Sequence, residues 1–182
     1  MPDPAVFLDR DGTIMEDTGF VRDPASVKLI PGAAQAIARL AAAGYRIVVV
    51  TNQSGIARGL ISIEQYQQVA DRFLELLGDA GARVTATYLC PHHPSVDGAC
   101  ECRKPALGNY RLAALEHDLD LTRSVWVGDR MTDLEPARAF EARGILVLTG
   151  RGARVDDDLE RLGIRVAASL AEAADLILAD RE

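Results

Sequence analysis

Apolar positions along the chain follow two alternating patterns. Short runs rich in Val, Ile or Leu, each followed by turn or polar residues, predict buried β-strands at 5–8, 46–50, 84–89, 124–127 and 145–148. Longer stretches between them carry helical spacing. "PGAAQAIARLAAAG" has Pro31 near its start and Gly44 just past its end, the usual asymmetry of helix termini. "SIEQYQQVADRFLELLGDAG" opens with Ser62 and Gln65 at capping-box spacing and repeats apolar residues at Ile63, Tyr66, Val69, Phe73, Leu76 and Leu77. "GNYRLAALEHDL" and "TDLEPARAFEARG" predict two further helices. The tail from Asp156 predicts one more helix, an edge strand at 165–167 and a last helix near 170–174. Such alternation implies an α/β protein: a parallel sheet with helices on both faces, binding its ligand at the carboxyl ends of the strands. With no repeat, low-complexity tract or linker, the expectation is one domain over 1–182.

One segment breaks the rhythm. "CPHHPSVDGACECRKP" follows the third strand as a loop rich in Pro and Gly, and a loop of that length inside a compact domain is often functional. It holds all three cysteines of the chain, Cys90, Cys100 and Cys102, together with His92 in the pattern C-x-H-x7-C-x-C. Three thiolates and an imidazole make a closed tetrahedral set for Zn²⁺, with no position left for catalysis. The plainer reading is reduced thiols that bind nothing, but this loop also carries Pro91, Pro94, Asp97, Gly98 and Glu101 and offers little apolar cover. A structural zinc held by 90–102 would order the loop and anchor Arg103 and Lys104 just beyond its last ligand. His93 reads as a neighbour of the site, though a one-residue slip in the choice of His stays open.

Composition narrows the setting. Apolar residues are 48% and charged residues 26% of 182, an ordinary globular balance. Lys plus Arg against Asp plus Glu gives 20 − 27 = −7, which disfavours a nucleic-acid partner. The longest apolar run, 47–50, is far from bilayer length, and the first residues lack an export core. Clustered cysteines in such a chain suggest the cytoplasm, and the expected state is a monomer.

The chemistry is concentrated at strand ends. "FLDRDGTIMED" sets Asp9, Asp11 and Asp17 close together after the first strand. A lone D-x-D could be no more than a polar strand end. Here Thr51, Lys104, Asp129 and Asp133 stand at or after other predicted strands, and a parallel sheet would bring them together.

"DRDGT", "TNQSG", "CRKP" and "GDRMTD", in this order and spacing, resemble the haloacid dehalogenase superfamily over nearly the whole chain. The resemblance implies a three-layer Rossmann-like fold and phosphatase chemistry. It makes Asp9 the nucleophile that becomes an aspartyl-phosphate, and Asp11 the acid/base group. Thr51 would donate to the phosphate and Lys104 would neutralise it. Mg²⁺ would sit on the Asp9 carboxylate, the Asp11 backbone carbonyl and Asp129, while Asp133 would orient Lys104 or the metal's waters. Neither insertion point is long enough for a large cap domain. The chain is therefore similar to the capless, zinc-loop branch acting on heptose bisphosphate or histidinol phosphate. "TNQSGIARG" and "CPHH" resemble the heptose type, while the short zinc loop is closer to the histidinol type.

On the heptose reading the chain removes the C7 phosphate of a sugar bisphosphate. The resemblance implies substrate contacts from Asp17, Thr18, Gly19 and Phe20, from Thr51, Asn52, Gln53 and Ser54, and from Arg103, Lys104 and Arg130. For each Arg, a solvated surface charge is the competing reading. A zinc-loop binding module without catalysis, and a mutase or phosphotransferase, are the alternatives from other classes.

Overall fold

In the computed structural model, residues 1–150, 159 and 163–180 are described. The β-branched runs form β1 (Asp3–Leu8), β2 (Arg46–Asn52), β3 (Ala86–Cys90), β4 (Leu119–Gly128), β5 (Arg143–Val147) and β6 (Ile164–Ala167). They make one sheet in the order β3-β2-β1-β4-β5-β6, and every pairing is parallel. Helices α1 (Ala33–Ala42), α2 (Ile63–Asp79), α3 (Pro94–Asp97), α4 (Gly108–His117), α5 (Met131–Ala139) and α6 (Leu170–Ala179) lie between or after the strands, and a 3₁₀ turn spans Pro24–Ser26.

Successive strand side chains point to opposite layers. Val6, Leu8, Val49 and Val127 pack on one face with Ile37 and Leu40 of α1, Phe73 and Leu77 of α2, and Ile177 of α6. Phe7, Val48, Val50 and Trp126 pack on the other with Tyr110 of α4 and Leu134 of α5. The sheet is thus apolar on both sides, which is why its strands read as unbroken apolar runs. Burial in those two layers, at roughly 25 cal/mol per Å² of apolar surface, is the main force holding the strand ends in place.

Several boundaries differ from expectation. β4 begins at Leu119, five residues before its apolar run, because Asp3 pairs with Leu119 and Pro4 with Asp120 before the register shifts to set Val6 against Val125. The excursion is held by the Asp120 carboxylate, which accepts from Thr122 N at 3.0 Å and Thr122 Oγ1 at 2.7 Å. α6 continues to Ala179 and α5 stops at Ala139. The cysteine-containing segment after β3 contains the short helix α3, started by Pro94 with His93 as its cap. The helix expected from Asp156 lies outside the described residues.

Between β1 and α1 stand only turns, bends, two isolated bridges through Met15 and the 3₁₀ turn, and β3 leads through α3 to α4, so neither crossover carries a cap domain. Among the described residues no helix is long and apolar enough to cross a membrane.

Candidate active site

The strand order places β1 between β2 and β4, so their carboxyl ends open together at the point where the winding reverses direction, the usual ligand position of such sheets. Asp9 follows β1 directly, its N–H donating to Val127 O at 3.0 Å and so extending the ladder to the site. Thr51 and Asn52 end β2, Asp129 follows β4, and Asp133 lies in the first turn of α5. Lys104 comes from the loop after β3, more than ninety residues from Asp9, yet its Nζ reaches Asp9 Oδ1 at 2.5 Å and Asp133 Oδ1 at 2.8 Å.

The ammonium is buried and also donates to Val50 O at 2.7 Å. Burial alone would draw its pKa down, but the Asp133 and Asp9 carboxylates outweigh that and hold it above the ordinary lysine range. Burial pushes the Asp9 carboxyl up to about 8; Lys104 opposes the rise, while Asp133 and Asp11 add to it. One cation thus faces an excess of negative charge. Carboxylate oxygens of Asp9, Asp129 and Asp133 lie within 4.8 Å of one another, a spacing that suits an octahedral cation with oxygen ligands at about 2.1 Å.

The backbone leaves room for that cluster. Gly12 has φ +87°, and a Cβ there would lie 2.7 Å from Asp129 Oδ2. A Cβ on Gly150 would collide with the same carboxylate. Thr149 ties the two loops together, its Oγ1 donating to Gly12 O at 2.6 Å. Sequence reasoning missed Thr149 and Gly150; their signal was their place directly after β5, at the same end of the sheet.

A cleft of about 410 Å³ opens over this floor, lined by Asp9, Asp11, Asp17, Gly19, Phe20, Asn52, Gln53, Ser54, Arg103, Lys104, Arg130, Met131, Thr132 and Asp133. Most of the expected contacts are therefore brought together; Thr18 and the buried Thr51 are not on the lining. Met131 and Thr132, which open α5, were not foreseen. Two expected contacts spend their amides on the protein. Asn52 Nδ2 donates to Lys104 O at 3.2 Å and its Oδ1 accepts from Lys104 N at 3.0 Å, clamping the backbone that carries the ammonium. Gln53 Nε2 donates to Asp11 Oδ2 at 2.7 Å and to Thr51 Oγ1 at 2.8 Å.

At the mouth, Arg130 reaches Asp17 Oδ2 at 3.3 Å, and Arg58 lies 5.5 Å over the Phe20 ring. Both pairs join the segment after β1 to other parts of the rim. Arg103 donates to His92 O at 3.1 Å, so the cationic edge of the cleft is built on the cysteine loop.

In that loop, ligand atoms of Cys90, His92, Cys100 and Cys102 lie within 4.8 Å of one another. Sulfur separations are 3.7 Å for Cys90–Cys100 and 3.6 Å for Cys100–Cys102, against about 3.8 Å for the edge of a tetrahedron with Zn–S of about 2.3 Å. His92 turns Nδ1 toward them, 3.2 Å from Cys102 Sγ. His93 points elsewhere, its Nδ1 accepting from Ser95 N at 3.2 Å.

Family models agree with this geometry. A haloacid dehalogenase-like hydrolase model matches 6–70 and a HAD-hydrolase-like model matches 101–173. A D-glycero-D-manno-heptose-1,7-bisphosphate 7-phosphatase of Thermosynechococcus vestitus is 44% identical over 164 residues, 85% of this chain and 84% of that one. The D-glycero-beta-D-manno-heptose-1,7-bisphosphate 7-phosphatase of Bordetella bronchiseptica is 39% identical over 95% of this chain and 97% of its own. A crystal structure of the D,D-heptose 1,7-bisphosphate phosphatase from B. bronchiseptica, complexed with magnesium and phosphate, superposes with a TM-score of 0.85 at 37% identity, covering 97% and 99% of the two chains. The chain belongs to the family of D-glycero-D-manno-heptose-1,7-bisphosphate 7-phosphatases, within the haloacid dehalogenase-like hydrolases.

Proposed function

We propose that the chain hydrolyses the C7 phosphate of D-glycero-D-manno-heptose 1,7-bisphosphate, a step toward lipopolysaccharide core or nucleotide-activated heptose. The observation that carries the reading is the Asp9–Lys104–Asp133 contact at the floor of the cleft, set within reach of Asp129. Relatives of that activity at 44% and 39% identity support the substrate.

The chemistry follows from the residues. Lys104 occupies Asp9 Oδ1, so the other oxygen of Asp9 is the one that attacks phosphorus. The new P–O bond forms as the bond between phosphorus and the oxygen carried by C7 breaks, and Asp11 gives its proton to that departing oxygen. Asp11, now ionised, takes a proton from water whose oxygen attacks the aspartyl-phosphate, releasing inorganic phosphate and restoring Asp9. Lys104 balances charge on Asp9 and on the phosphoryl oxygens throughout, and Asn52 keeps it there. Asp9, Asp129 and the Asp11 carbonyl would hold magnesium, which would supply the further positive charge that phosphoryl transfer needs. Arg103 and Arg130 edge the cleft where a second dianion of the substrate would lie, and guanidinium groups suit phosphate. Zinc in the Cys90, His92, Cys100 and Cys102 set would hold the loop from which Arg103 and Lys104 project.

Phosphate release from heptose bisphosphate and from histidinol phosphate, measured at limiting substrate, tests the assignment. The heptose substrate should show the larger kcat/KM, and Asp9→Asn should abolish its turnover. A larger value for histidinol phosphate overturns the substrate, and substantial activity in Asp9→Asn overturns the nucleophile.

A further inference from the structure

We propose that Arg10 is a positioning residue whose guanidinium fixes the Asp11 carboxylate for proton transfer to the leaving oxygen. The inference rests on the reading of Asp11 as the acid/base group. Arg10 stands between nucleophile and acid/base in sequence and is 2% exposed. Its Nε donates to Asp11 Oδ2 at 3.1 Å and its Nη2 to Oδ1 at 3.0 Å, so the fork engages both oxygens of its own neighbour. Tyr66 of α2 lies under the guanidinium, with Cζ 5.6 Å from the ring centroid, and so sets the plane of the fork. Just past the end of β2, Gln53 adds its 2.7 Å bond to Oδ2, and the hydroxyl of Thr51, in β2 itself, lies 3.4 Å from the same oxygen. Three separate segments thereby determine where one carboxylate points.

Folding gives no reason for an arginine here. One of its terminal nitrogens, Nη1, is buried without a hydrogen-bond partner among the described residues. Replacing a buried ion pair by apolar residues of similar volume is often neutral or stabilising by about 1–4 kcal/mol. A direct grip on substrate is also excluded by geometry, because Arg10 does not line the cleft whereas Asp11 does. What remains is an effect through Asp11. An acid/base group works only from the right place, and small displacements there are costly.

The test is a leaving-group comparison with Arg10→Gln and Arg10→Lys. A sugar phosphate releases an alkoxide that needs a proton; p-nitrophenyl phosphate releases a phenolate that does not. Since kcat/KM reports the steps through aspartyl-phosphate formation, Arg10→Gln should lower it about 100-fold for heptose bisphosphate but less than about threefold for p-nitrophenyl phosphate, with KM little changed. Arg10→Lys keeps the charge without the fork and should fall between. Asp11→Asn should show the same selectivity, and Arg10→Gln combined with Asp11→Asn should be no slower than Asp11→Asn alone. Equal losses on both substrates, or a double variant whose losses multiply, would overturn the role of Arg10 while leaving Asp11 in place. Absence of leaving-group selectivity in Asp11→Asn would instead remove the acid/base reading and this proposal with it. Folding is checked for each variant by thermal denaturation, and the p-nitrophenyl phosphate rate serves as the internal control.

Discussion

Asp9 sits where burial and like charge both work against its ionised form, and this has a consequence for stability. Its folded pKa of about 8 lies above the ordinary aspartate value of 3.8. Between those values the metal-free folded chain holds the proton more tightly than the unfolded chain, so this group's contribution to stability falls as pH rises through the window. A divalent cation beside Asp9 favours the ionised form and removes that loss. Thermal denaturation with and without magnesium should therefore show the larger magnesium-dependent rise at about pH 8 than at about pH 5. Equal rises at both would mean that Asp9 is not the group linked to the cation. Asp9 and Asp129 were legible in the sequence because each stands beside a strand end, and Lys104 because it lies in the "CRKP" motif that closes the cysteine loop. The tasks of Asn52, Gln53 and Arg10 were not. What those side chains do depends on Lys104, Asp11 and Tyr66, partners supplied by distant parts of the chain, and local sequence does not encode that meeting.

Helix α2 shows how an element away from the chemistry can be read and tested by itself. Ser62 Oγ accepts from Gln65 N at 3.1 Å and Gln65 Oε1 accepts from Ser62 N at 2.9 Å, so the capping box seen in the sequence is formed in full. Ser62→Ala should cost about 1 kcal/mol, which for a chain of this size lowers Tm by about 2–4 °C. Activity at the temperature of assay should be unchanged; a large loss of kcat would show that the start of α2 also sets Tyr66 under Arg10. Elements whose signal is local, such as this cap or the apolar run of β2, were read with nearly the right bounds. β4 was not, because its first half is held by pairing with Asp3 and Pro4 and by the Asp120 turn, and its polar residues carry no period of their own. α6 was cut short for the opposite reason: its packing against α1, not a cap signal, decides how far it runs.

At the scale of the whole molecule, the cleft is made by segments that follow β1, β2, β3 and β4, and one of them is a loop with little apolar cover. Besides the thiol and imidazole cluster, hydrogen bonds that hold that loop include Asn109 Nδ2 donating to Cys102 O at 3.1 Å, Gly108 N donating to Glu101 O at 2.9 Å and Gln53 N donating to Cys90 O at 2.8 Å. On the proposed zinc reading of that cluster, a selective chelator, with magnesium kept in excess, should lower both Tm and kcat. Because Cys102 lies two residues before Lys104, a loss in kcat of about tenfold or more is expected, and added zinc should restore it. Purified protein lacking zinc but fully active would show that the hydrogen bonds alone suffice. The parallel sheet and its layers were readable in advance from strand and helix alternation, and so was the absence of a cap from the shortness of the connections, whereas the order of the strands was not.

Phe7 and Trp126, stacked with ring centroids 4.7 Å apart, occupy the layer directly behind Asp9 and Asp129, and Phe140 lies 5.6 Å from the far side of the indole. Trp126 is the sole tryptophan of the sequence. The chain therefore carries its own optical probe: ultraviolet emission from this ring is a blue, single-origin signal from the dry layer behind the nucleophile. A red shift would announce water entering between β1 and β4 without any dye or label.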